Sequence, residues 1–128
     1  MKPFIIHDRH FAFDITDADD LGRLQKASAW LAQRCDEMTG EGAVKDMDAA
    51  GHMKAIFSMY RTFFGILFPG METVILGEKQ SVSNAKKVFG LWLSYLGDCM
   101  EEERRSDAMM RKIYTLQEEE CEAGADGT

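Results

Sequence analysis

His7-Asp8-Arg9-His10 is the one local cluster of histidine and carboxylate in this 128-residue chain. Both side-chain types ligate zinc, which usually takes four donors at about 2 Å. Two histidines three positions apart lie on opposite faces of a strand, so only a turn brings them together. His52 stands alone on a predicted helix. The segment reads as a polar turn flanked by strands, with no metal expected. Glu101-Glu102-Glu103-Arg104-Arg105 offers carboxylates for acid–base work. Consecutive helical residues fan outward rather than converge, and Glu101 is placed to pair with Arg105 one turn on. A solvated helix face is expected there, with a basic partner as the functional alternative. Asp17, Asp19 and Asp20 lack the distal glutamate of a calcium loop. Gly40-Glu41-Gly42 and Gly70 lack the Lys-Ser/Thr ending of a phosphate cradle. No Ser, Cys or Lys stands beside a base in a nucleophile motif. The expectation is a non-enzymatic protein, with no catalytic residue and no cofactor.

The bulk charge points the same way. The formal net charge is −7 and the isoelectric point about 4.9. Phosphate-driven nucleic-acid binding needs clustered Lys and Arg, and so does docking on anionic lipid; neither partner is expected. Residues 98–128 carry ten acidic and four basic side chains, so nearly all the imbalance falls in the last quarter. Cys35, Cys99 and Cys121 are odd in number and form no Cys-x-x-Cys pair. Cys35 and Cys99 fall at core-like helical positions, and a reducing, intracellular setting is expected. The opening residues do not read as a signal peptide, and no apolar run approaches the roughly 20 residues of a bilayer span.

A mainly α fold must position these residues: a small bundle of three to four helices with a short N-terminal β-hairpin. Phe4–His7 and Phe11–Asp14 read as strands turning at Asp8-Arg9. A lone hairpin is marginal in water, so it must lie on a helix or join a neighbouring subunit. Thr16 is the expected cap of a first helix over Asp17–Met38, whose stripe runs Leu21, Leu24, Ala27, Leu31, Cys35. Gly40 and Gly42 are expected to end it. A second helix begins near Asp46 or Asp48, carries a broad aromatic face and stops at Pro69-Gly70. Met71–Leu76 is a helical turn or an extended link. Ser81 or Ser83 caps a third main helix with apolar residues Val88, Phe89, Leu91, Trp92, Tyr95, Leu96, Cys99 and Met100. Gly90 and Gly97 either permit a close helix crossing or are simply tolerated. After Glu101–Asp107 the helix continues or turns back. The organisation expected is a hairpin over 1–15, a helical bundle over 16–116 and a flexible acidic tail over 117–128.

Association is the activity these features favour. Phe57, Tyr60, Phe64, Leu67, Phe89, Trp92, Leu96, Met109, Met110 and Ile113 are the candidate contact residues. Met-rich apolar surfaces can re-pack against varied helical partners, though ordinary core filling is the plainer account of many of them. The Met109/Met110/Ile113/Tyr114/Leu116 stretch is expected to be the most exposed, suited to helix-in-groove or coiled-coil docking.

Phe13-Asp14-Ile15-Thr16-Asp17-Ala18-Asp19 after the hairpin, Tyr60–Phe68, and Val74-Ile75-Leu76-Gly77-Glu78 before the Asn84–Met100 helix together carry a resemblance. Over residues 4–105 the chain resembles small proteins of the tail modules of Gram-positive bacteriophages and prophages, the tail assembly chaperones. The motifs are short. The charge-rich Ala43–Gly51 linker and the Cys121 tail depart from the pattern. The resemblance implies a protein of the bacterial host cytoplasm, with a homo-oligomer expected, that coats the apolar tape measure protein before tail tube subunits polymerise around it. Alternatives are a stably incorporated tail structural or adaptor protein, and an acidic phage-encoded inhibitor.

Overall fold

The computed structural model describes residues 2–39 and 48–126. Two short strands and four helices follow one another along the chain. The fold is mainly α, a small helical bundle with an N-terminal β-hairpin. It divides into two compact units, residues 1–94 and 95–128.

In the first unit, β1 (Phe4–Ile6) pairs antiparallel with β2 (Arg9–Phe11), in the register Phe4 to Phe11, Ile5 to His10 and Ile6 to Arg9. The turn is His7-Asp8, one residue earlier than the sequence suggests. Both turn residues have positive φ, 51° and 63°, as a two-residue hairpin loop of the primed type requires. His and Asp are among the few non-glycine residues that enter this region readily. The second strand therefore ends at Phe11 instead of running to Asp14. Alternation buries Phe4 and Ile6 and leaves Ile5 outside.

Asp17, not Thr16, caps α1 (Ala18–Thr39): its carboxylate accepts from the Asp20 N–H at 3.0 Å. Thr16 instead donates its N–H and hydroxyl to Asp14 Oδ1. Asp20 reaches back to the Asp14 N–H at 2.9 Å and pairs with Arg23. Of the expected stripe, Leu24 and Ala27 are buried, whereas Cys35 is exposed. The glycines expected to end this helix lie outside the described residues, as does Asp46.

Asp48 caps α2 (Ala49–Leu67), accepting from the Gly51 N–H at 2.7 Å. This helix packs along α1 and against α3 (Glu72–Leu76), which resolves Met71–Leu76 as a short helix. Pro69 and Gly70 follow the α2 end, and Gly70 takes φ 79°, a conformation glycine adopts without side-chain cost. Ser81 Oγ accepts from the Asn84 N–H at the start of α4 (Val82–Asp126). The Asn84 amide also donates to the Leu76 carbonyl at 2.9 Å, tying the end of α3 to the start of α4.

The core of this unit is aromatic. Trp92 takes Phe4, Phe13 and Phe68 edge-on at centroid distances of 5.2, 5.1 and 5.7 Å. Phe11 packs on Phe68 at 5.5 Å. Such pairs contribute about 0.5–1.5 kcal/mol each beyond the burial of their area. The hairpin thus finds the helical support that a two-stranded sheet needs within its own chain. A second cluster joins Tyr60, Phe63 and Phe64 of α2 to Phe89 of α4. Nothing stands within 4 Å of where a Cβ at Gly90 or Gly97 would lie, so neither glycine marks a close crossing.

The described residues of the second unit all belong to α4. The helix passes through Glu101–Asp107 without a break and remains helical to Asp126, across the stretch expected to form a flexible tail. Glu, Ala, Leu and Gln are good helix formers, which is consistent with that continuation.

Candidate interaction surface

The ten candidate contact residues fall into three groups. Phe57, Phe64, Leu67 and Trp92 are at most 4% exposed, and their surface is covered within this chain. As contacts they are available only to a partner that opens the core. Tyr60, Phe89 and Leu96 are half-buried. Burial pushes the Tyr60 hydroxyl pKa upward, with the neighbouring Cys35 adding to the shift. Met109, Met110 and Ile113 are exposed, at 66%, 46% and 43%.

These three mark the clearest unpaired apolar surface of the second unit, with Met100 also exposed. Helical spacing explains their grouping, since residues three and four apart are neighbours on a helix. From Arg104 to Ile113 every side chain is exposed. N-terminal to them on the same helix, Glu101 accepts from Arg104 at 2.8 Å and meets Arg105 at 3.4 Å. The Arg104 hydrogen bond is the main reason the Glu101 carboxyl lies below its usual range. The expected Glu101–Arg105 pair is present, on a solvated face. Tyr114 and Leu116 are helical, and their side chains lie outside the described ones.

Several exposed apolar residues were not singled out from sequence: Ile5, Met71 and Leu93, together with Met53 and Leu91, which the helical pattern counted as apolar packing. Period-two alternation in Phe4-Ile5-Ile6 already implies that Ile5 faces out. No comparable signal marks Met71, which follows the Pro69-Gly70 stop and precedes a five-residue helix. Met71 joins Phe68, Val74 and Arg9–Ala12 in lining a shallow groove beside β2. A second groove, between α2 and α3, holds Arg61, Glu72 and Glu78 over Phe57 and Leu76. Glu72 Oε2 is shielded there without a hydrogen-bond partner among the described residues. Gly65 leaves room for that carboxylate, which would stand 3.5 Å from an added Cβ.

His7 and His10 are both exposed. Among the described residues, no three His, Cys, Asp or Glu side chains gather as a metal-donor set. No helix of the described residues is long and apolar enough to cross a membrane.

No family model, curated protein or solved structure matches this chain.

Proposed function

We propose that this protein is a non-enzymatic phage tail assembly chaperone, which binds the tape measure protein and shields it until the tail tube forms. The observation that carries the reading is the exposed Met109/Met110/Ile113 stretch on a long, otherwise charged helix. Unbranched thioether side chains adapt to varied apolar partners. A tape measure protein presents long apolar helical stripes to which such a surface is suited. The acidic balance, −7 for the chain, keeps the covered complex soluble. Self-association places several such helices along one client, and the tail tube protein is the second partner. The setting is the cytoplasm of the bacterial host.

The test is co-expression with the tape measure protein of the same gene cluster, followed by light scattering on the co-purified species. Many copies on one long chain, in a soluble complex, is the expected result. An insoluble tape measure protein beside a free chaperone refutes the reading.

A further inference from the structure

We propose that the free edge of β2 takes an extended segment of a partner protein as an antiparallel third strand, one that alternates apolar and acidic side chains. The apolar side chains enter the groove at Phe68, and the acidic ones lie on the outer face with His10. This site belongs to the first unit, and it holds or fails independently of the client stretch on α4.

Backbone hydrogen bonding sets the kind of occupant. The two-residue turn makes Ile6 and Arg9 a hydrogen-bonded pair, and such pairs alternate with non-bonded ones along an antiparallel ladder. Ile5 and His10 are therefore a non-bonded pair, so the His10 N–H and C=O point away from β1. Among the described residues no hydrogen bond reaches them, nor the N–H and C=O of Ala12. Exposure alternates beyond the paired residues, with His10 and Ala12 exposed and Phe11 and Phe13 buried, so the edge stays extended. Free groups two residues apart on an extended edge are a template for a further strand. A helix has no matching groups to offer, because its own are bonded internally.

The groove beside this edge sets the side chains. It is lined by Arg9, His10, Phe11 and Ala12 of the edge and by Phe68, Met71 and Val74. The Phe68 ring lies 5.5 Å from Phe11, and Met71 is 44% exposed. In an antiparallel third strand, the residue opposite His10 exchanges both backbone bonds with it. Its side chain lies on the outer face with those of His10 and Ile5, and its neighbours point the other way, into the groove. Among the described residues no carboxylate lines the groove, whereas Arg9 and His10 do. Asp8 belongs to the turn, and Glu72 lines the separate groove between α2 and α3. Acidic residues at the outward positions of the added strand complement that basic lining.

The experiment titrates the full chain with a capped heptapeptide that alternates valine and glutamate, followed through the backbone amide resonances of the protein by nuclear magnetic resonance. The peptide is compared with forms N-methylated at its valines, N-methylated at its glutamates, or carrying lysine for glutamate. Saturable binding is expected, with a dissociation constant below about 1 mM and shifts of the His10 and Ala12 amides. Methylation at the valines, whose N–H groups face away from β2, should change the affinity by less than about twofold. Methylation at the glutamates removes the bonds to the edge and should weaken binding about tenfold or more. The lysine form should weaken it as much. So should Met71→Glu in the protein, an exposed position whose substitution leaves the fold intact. Absence of saturable binding overturns the proposal. So does binding that ignores which amides are methylated or the sign of the peptide's charge, or shifts confined to residues away from β2 and its groove.

Discussion

The Phe4 ring meets the Trp92 indole edge-on, with centroids 5.2 Å apart and planes at 83°. One residue opens the hairpin and the other lies in α4, 88 positions later. Phe4 is 2% exposed and Trp92 fully buried, so this contact joins the two ends of the first unit's chain path. Phe4→Ala is expected to destabilise the protein by about 3 kcal/mol or more, from lost burial and the cavity left behind. Urea unfolding measures it. A loss below about 1 kcal/mol would mean that the hairpin is not part of the cooperative core.

Three helical glycines separate propensity from capping. Gly22 and Gly90 face open space, and each is expected to stabilise the fold by about 0.5–1 kcal/mol as alanine. Gly51 lies in the first turn of α2, where an added Cβ would stand 2.8 Å from Asp48 Oδ1. Gly51→Ala is therefore expected to bring no gain, because the cap must move. Melting temperatures of the three variants, measured side by side, check the contrast.

Asp48→Ala removes that cap outright and leaves the Gly51 N–H without its carboxylate. The expected cost is about 1 kcal/mol. Asp48→Asn or Asp48→Ser should recover most of it in the same denaturation assay, since both side chains accept the bond.

The Asp14 carboxyl is held below its usual range, first by the Thr16 hydroxyl and then by the Thr16 backbone N–H. A carboxyl with a lowered folded-state pKa stabilises fully above the unfolded value of about 4. That contribution is lost as pH falls through the lower folded value. Thr16→Val removes the larger cause, so the Asp14 pKa should rise towards the ordinary one. Carbon-13 titration of the Asp14 carboxyl checks this, and an unchanged midpoint would contradict it.

Much of the fold is legible in the residues, and the misses have physical causes. Asp48, Ser81 and Pro69-Gly70 mark helix ends because few other residues satisfy or break those positions. The hairpin is visible in its apolar strands, but its turn lacks the Asn-Gly or Asp-Gly signal, and His7-Asp8 adopts positive φ without a glycine. Thr16 and Asp17 are both competent caps, and the Asp14 carboxylate engages Thr16 two residues on, a local turn that competes with the capping pattern and leaves the cap to Asp17. The candidate surface is legible only in part. Periodicity identifies apolar helical positions but does not separate Trp92, fully buried, from Met109, at 66% exposure. Only the packing of the other elements makes that division.

The most direct test of the proposed role removes the exposed apolar stretch while leaving the fold intact. A chain carrying Met109→Gln, Met110→Gln and Ile113→Lys is co-expressed with the tape measure protein and compared with the unaltered chain. All three positions are exposed, so the melting temperature of the first unit's core should stay within about 2 °C. The expected result is a folded variant that leaves the tape measure protein insoluble. Full retention of the soluble complex by that folded variant would contradict it.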